Sequence, residues 1–191
     1  MMNSKDVVTS NYSLLLGDCL ERMKEIPDGI VDAIICDPPY ATTKCEWDSI
    51  IPFEPMWGQL KRIIKQNGAI VLFGSEPFSS ALRMSNIKNY KYDWYWEKER
   101  ITNIAQVKKR AGKVIENISI FYSKQPTYNP QMVKYEGKKR TNKVKDGKMG
   151  KLVDNANKKV KEYNDTGWRY PTQVLKYKRD ILTSNLHPTQ K

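Results

Sequence analysis

Val31-Asp32-Ala33-Ile34-Ile35-Cys36-Asp37-Pro38-Pro39-Tyr40 is the stretch whose reading decides the fold. An apolar, partly β-branched run between the turn residues Asp28-Gly29 and two prolines predicts a short buried strand that stops abruptly. It delivers Asp37 and Tyr40 at its carboxyl end, which in an open α/β sheet is the end where ligands bind. The two prolines lack backbone donors and fix φ, so the chain after Asp37 is stiff, extended and rich in unpaired carbonyls. Such a turn sets a carboxylate, the free carbonyl of Pro38 and the Tyr40 ring around a small planar group. An exocyclic amino group suits it: its two N–H bonds donate to Asp37 and to the Pro38 carbonyl, which leaves the nitrogen lone pair free to attack an electrophile. Tyr40 can stack on the ring that carries the amine. The plainer alternative is a Pro-Pro turn with an N-capping aspartate, and the agreement of strand and turn favours the chemical reading.

On the amino-terminal side, Tyr12-Ser13-Leu14-Leu15-Leu16 predicts a strand ended by Gly17-Asp18. Leu20, Met23 and Ile26 then recur at helical spacing before Pro27-Asp28-Gly29, so strand, helix and the Asp37 strand form one expected βαβ unit. On the other side, residues 41–53 lack periodicity and predict a loop poised as a flap over the turn. Residues 54–66 place Met56, Trp57, Leu60, Ile63 and Ile64 on one face and Lys61, Arg62 and Lys65 on the other, an amphipathic helix with Asn67-Gly68 as its expected C-cap. Ala69-Ile70-Val71-Leu72-Phe73 predicts a second buried strand, and a helix bearing Phe78, Ala81 and Leu82 follows Gly74-Ser75-Glu76-Pro77. Further strands are expected at residues 92–96 and 116–123, joined by a basic loop with Lys98, Lys108, Lys109 and Arg110.

The chain of 191 residues suffices for one domain with a substantial core. Charge is divided unevenly, with net −2 over residues 1–95 and +14 over 96–191, out of +12 in total. A near-neutral half followed by a strongly basic half fits a protein that holds a polyanion, although charge alone equally admits a solubilising surface. Residues 135–161 are rich in Lys, Asn, Gly and Asp, include Lys138-Lys139-Arg140, and have too little apolar content to fold by themselves. The expected organisation is a core over 1–124, a basic insertion over 125–167 and a return to the core over 168–191. No apolar run is long enough to span a bilayer and no signal-peptide pattern opens the chain, so the expected compartment is the cytoplasm. Cys19, Cys36 and Cys45 form no Cys-x-x-Cys pair, which argues against both zinc and a disulfide framework.

Asp37-Pro38-Pro39-Tyr40 resembles the catalytic motif of the amino-methylating DNA methyltransferases, which transfer a methyl group from S-adenosylmethionine to adenine N6 or cytosine N4. His187-Pro188-Thr189-Gln190-Lys191 resembles the segment that precedes the cofactor loop in their circularly permuted beta group, and the order of the two motifs is that group's order. The resemblance implies an α/β, Rossmann-like class I methyltransferase sheet with helices on both faces. It implies catalysis by Asp37, Pro38, Pro39 and Tyr40, with cofactor contacts from Asp18, Phe73, His187, Thr189 and Lys191. Asp18 is equally readable as a helix N-cap and Phe73 as core. The Trp96 and Lys98 pair resembles a family strand end, and with Lys108, Lys109, Arg110, Lys138, Lys139 and Arg140 it makes the expected surface for double-stranded DNA. The aspartate form of the motif implies adenine, with cytosine N4 or a catalytically incomplete DNA-binding fragment as alternatives. Members of the group continue into a Phe-x-Gly-x-Gly-type loop that has no counterpart here, so a truncated sheet is expected. Its open edge at the Asp37 strand would be covered by a second copy or a complementing chain.

Overall fold

The computed structural model describes residues 6–43, 45–137 and 166–176. It divides into one unit of Met1–Thr127 with Gln173–Lys191 and another of Tyr128–Thr172. In the first, β1 (Val7–Val8) and β2 (Ser13–Leu14) precede α1 (Cys19–Met23), β3 (Val31–Cys36), α2 (Phe53–Ile63) and β4 (Ile64–Gly74). Then follow α3 (Phe78–Ser85), β5 (Tyr90–Glu97), a 3-10 turn at Ile104–Gln106 and β6 (Ile115–Phe121). The second unit contains β7 (Val133–Lys134) antiparallel to β8 (Trp168–Arg169), tied by Tyr135 N–H to the Gly167 carbonyl at 2.7 Å, with the Arg169 guanidinium 4.6 Å from the Tyr135 ring centre. Finally, β9 (Val174–Lys176) belongs again to the first unit.

A five-stranded mixed sheet runs in the order β3-β4-β6-β5-β9. Strands β3 and β4 are parallel, β6 is antiparallel to both of its neighbours, and β9 is parallel to β5. This polarity gathers the carboxyl ends of β3, β4, β5 and β9 with the amino end of β6 along one edge of the sheet. The residues that the sequence places just after β3, β4 and β5 therefore converge there.

Alternation along β4 sends Ile70 and Leu72 to one face, where they pack with Met56, Trp57 and Leu60 of α2, Phe78 and Leu82 of α3, and Phe121 of β6. Leu20 and Met23 of α1 pack against the same cluster, so the helices described share this face. The opposite face presents Val71, Phe73, Ile118 and Ile120 in register with Tyr92 and Trp94. Trp57 satisfies its indole N–H on the Ser85 hydroxyl at 2.7 Å, joining α2 to α3.

The structure departs from the sequence reading in four places. Among the described residues strand β2 pairs only with β1, because the Thr9 hydroxyl accepts from Asn11 and Tyr12 N–H and closes a local hairpin, so no βαβ unit links β2 to β3. Strand β3, read from its own residues as buried, lies at the sheet edge where the expected truncation put an open edge: among the described residues it pairs with β4 alone, and Ile35 is 72% exposed. Helix α2 ends at Ile63, and Asn67-Gly68 lies inside β4, where the register with β3 shifts. Trp168, read as the return to the core, pairs with β7, and the sheet is rejoined by Val174–Lys176.

Gly68 is needed for close approach rather than for a cap. A Cβ there would meet the Asp32 carbonyl at 2.8 Å and the Ile64 side chain at 2.7 Å. Gly68→Ala is expected to destabilise the fold by about 1–3 kcal/mol, read from the urea midpoint. An unchanged midpoint would mean that the bulge relaxes freely.

Candidate active site

Strand β3 ends at Cys36, and the next four residues cross the gathered edge of the sheet. Asp37 is exposed and Pro38 buried, so the carboxylate reaches outward from a fixed base. The Tyr40 hydroxyl donates to Asp37 Oδ1, and the Tyr40 ring packs against Phe78 at 5.2 Å between centres, with Phe53 behind Phe78 at 5.8 Å. Burial, followed by the Asp37 carboxylate, pushes the Tyr40 phenol far above its ordinary value, so it stays a neutral donor. Burial also raises the Cys36 thiol, with Cys19 and Asp37 adding to it. Neither Cys36 nor Cys19, which burial and Asp18 likewise raise, has the lowered pKa of a nucleophilic thiolate.

A cleft of about 690 Å³ opens beside Tyr40, lined by Thr42, Glu76, Gln106, Arg110 and Lys113 among others. Lys113 Nζ donates to the Ser75 hydroxyl, and Asn117 Nδ2 donates to Glu76 Oε1 at 3.3 Å. Burial alone would raise the Glu76 carboxyl, but hydrogen bonds from Ser80 and Arg83 with the Arg83 charge hold it below the ordinary carboxylate range. Arg83 also bonds Asp93 at 3.0 Å, and Asp93 accepts from Ser119 at 2.6 Å, which roots the cleft wall in the sheet. The basic loop after β5 is internally tied. Asn103 Oδ1 accepts Lys113 N–H at 2.6 Å, its Nδ2 donates to the Ala111 carbonyl at 3.1 Å, and Thr102 N–H reaches the Lys113 carbonyl at 2.9 Å.

These contacts place the residues singled out from sequence. Asp37, Pro38, Pro39 and Tyr40 stand together at the sheet edge. Asp18 caps α1, its Oδ1 accepting from Leu20 N–H at 2.8 Å and Glu21 N–H at 3.3 Å. Phe73, near the end of β4, meets Trp96 edge-on at 6.1 Å. Lys108, Lys109 and Arg110 are exposed on the loop beside the cleft. Lys98 differs from them: 13% exposed, it pairs with Glu116 and lies 4.9 Å from the Trp96 ring centre, so its charge is already neutralised. His187, Thr189, Lys191, Lys138, Lys139 and Arg140 lie outside the described residues.

One residue of this site escaped the sequence reading. The Asp48 carboxylate accepts four successive backbone N–H groups, from Tyr40 (3.0 Å) and Ala41 (2.9 Å) on Oδ1 and from Thr42 (2.8 Å) and Thr43 (2.6 Å) on Oδ2. Hydrogen bonding from the Thr43 side chain, then from the backbone of Thr43, Ala41 and Thr42, holds its carboxyl below the ordinary range against the opposing effect of burial. The available signal was an aspartate a few residues beyond a donor-rich segment, which is too common a pattern to single out. Among the described residues no group of His, Cys, Asp and Glu is arranged to hold a metal, and no helix is long and apolar enough to cross a membrane.

Comparison with known proteins adds the relationship. A family pattern described as DNA methylase matches residues 31–191. The type II methyltransferase M.HinfI of Haemophilus influenzae is 31% identical over an 86-residue alignment that covers 33% of this chain and 24% of that protein. The type II methyltransferase M2.MboI of Moraxella bovis is 29% identical over 87 residues, covering 34% of this chain and 32% of that protein. The matched part thus spans a quarter to a third of the length of these curated relatives. Among solved structures, the PvuII DNA methyltransferase, described as cytosine-N4-specific, superposes with a TM-score of 0.52 at 15% identity, over 88% of this chain and 58% of that one. That likeness is one of fold, the class I methyltransferase sheet.

Proposed function

Given that this chain belongs to the DNA methylase family, we propose that it methylates the exocyclic N6 of adenine in duplex DNA, using S-adenosylmethionine. The observation that carries the proposal is the exposed Asp37 carboxylate at the end of β3, with the Tyr40 hydroxyl upon it and a cleft of about 690 Å³ alongside. A base rotated out of the duplex enters this cleft, stacks on Tyr40, and donates one amino hydrogen to Asp37 in place of the tyrosine hydroxyl. The Pro38 carbonyl takes the second hydrogen. Held in this way, the nitrogen keeps its lone pair free and aimed by two acceptors, and no covalent enzyme intermediate is required. Lys108, Lys109 and Arg110 lie beside the cleft where they can meet phosphates.

The cofactor supplies an electrophilic methyl group on a sulfonium sulfur. Two residues would suit its adenosine: Phe73 at this edge of the sheet offers a half-buried ring steadied by Trp96, and Asp18 at the start of α1 offers a carboxylate whose two capping bonds both fall on Oδ1. His187, Thr189 and Lys191 complete the proposed cofactor set.

The test is incubation of the chain with duplex DNA and methyl-labelled cofactor, followed by digestion to nucleosides. Label in N6-methyladenine is the expected result. Label in N4-methylcytosine would keep the amino-methylating chemistry and change the base, a reading that the fold shared with a cytosine-N4-specific enzyme favours. DNA binding with no label in either nucleoside would leave a DNA-binding protein without catalysis.

A further inference from the structure

We infer that Asp48 is a positioning residue for the transfer proposed above. By holding the backbone of residues 40–43 in one conformation, it keeps Tyr40 and Asp37 together without itself touching the substrate. The inference rests on the reading that Asp37 and Tyr40 receive the base.

Pro38 and Pro39 have no N–H, so nothing can fasten the chain by a backbone donor between Asp37 and Tyr40. The first four donors after the prolines all turn onto the Asp48 carboxylate, two on each oxygen, at 2.6–3.0 Å. Consecutive N–H groups converging on one anion form a nest, and this one requires a left-handed residue, which is Ala41 at φ 55°. A residue with a Cβ avoids that conformation unless its surroundings impose it. Here the imposing group is the carboxylate, 6% exposed and brought back by a turn in which Asp48 N–H donates to the Cys45 carbonyl at 3.0 Å. Without the charge, four donors lose their acceptor and Ala41 loses its reason to stay left-handed. Tyr40 then has no fixed backbone from which to reach both Phe78 and Asp37.

Asp48→Asn keeps the shape but sets an amide NH₂ against two of the four donors. In wild-type protein the amides of Tyr40, Ala41, Thr42 and Thr43 are expected to exchange slowly with solvent. In D48N they should all become fast, while those of β4 are unchanged. Turnover in D48N should fall about a hundredfold, the scale of a small misplacement of reacting groups, with DNA affinity preserved. Ala41→Val, which opposes the left-handed backbone with Asp48 intact, should give the same loss of turnover and the same preserved affinity. Adding Ala41→Gly to D48N should recover part of the turnover, because glycine accepts that backbone freely. Wild-type turnover in D48N, or fast exchange of the four amides in wild-type protein, overturns the inference. A wild-type chain that transfers no methyl group sinks the proposed function instead, and the exchange measurement then decides alone for or against the Asp48 clamp.

Discussion

Asp37→Ala is expected to lower the proposed methyl transfer by on the order of a thousandfold or more, the scale of losing a preorganised group at the reacting centre, and to leave DNA affinity close to that of the wild type. The two halves of this expectation have separate structural reasons. Asp37 stands exposed at the end of β3, and the Tyr40 hydroxyl donates to it, so its removal opens no cavity and orphans one hydroxyl that can turn to water. The fold therefore stays intact. On the proposed reading, duplex affinity would come from phosphate contacts along the basic loop, where Lys108, Lys109 and Arg110 are exposed, and not from the carboxylate. What would disappear, on the proposed reading, is the acceptor that orients the amino group, and with it the aim of the lone pair. Asp37→Asn, which keeps one carbonyl oxygen but no charge, should fall between the two. Single-turnover rates with saturating DNA measure this directly, and an Asp37→Ala protein that turns over normally would remove Asp37 from the mechanism.

The largest expected effect on stability comes from the opposite end of β6. Phe121 is 0% exposed, with its ring 4.9 Å from Trp57 of α2 and 5.7 Å from Tyr90 of β5. It pairs in register with Ile70 on one side and Tyr90 on the other, so it sits where the central strands meet the helical layer. Phe121→Ala removes a ring that three elements enclose and leaves a cavity they cannot close without parting from the sheet. The expected cost is about 3–5 kcal/mol in urea unfolding, a large fraction of an ordinary domain's stability. A loss below about 1 kcal/mol would mean that α2 settles into the space, and the packing described would then be looser than its distances indicate.

The strands and helices that pack in alternation were legible from residues 53–97 and 115–121, because burial on one face writes a period into the sequence. Met56, Trp57 and Leu60 of α2 and Ile70 and Leu72 of β4 face inward as their spacing predicted. The Asp37-Pro38-Pro39-Tyr40 turn was legible for a different reason, since two prolines leave the backbone few choices. What was not legible depends on partners far away in sequence or on donors that any residue carries. Nothing in Tyr12-Ser13-Leu14 says that its partner is Val7-Val8 rather than β3, because two-residue pairings carry almost no pattern. Lys98 reads as a free cation until Glu116, eighteen residues on, is found beside it. Asn67-Gly68 has the form of a helix cap, yet the glycine answers to the Asp32 carbonyl on a neighbouring strand. Asp48 was invisible because its partners are backbone N–H groups, which leave no trace in residue identity.

The way Asp48 closes its loop also bears on how such a chain can change over generations. Both ends of the loop are fixed by the same carboxylate, the incoming end through residues 40–43 and the outgoing end through Asp48 itself. The tip between them, with Trp47 65% exposed, carries none of those four bonds. Residues can be inserted or exchanged at such a tip at little thermodynamic cost, since loop-closure entropy grows slowly with length. Lengthening there would extend the reach of the loop toward a neighbouring surface while the geometry at Asp37 and Tyr40 stayed as it is. The clamp separates the part of the loop whose shape is held from the part that is free to diversify.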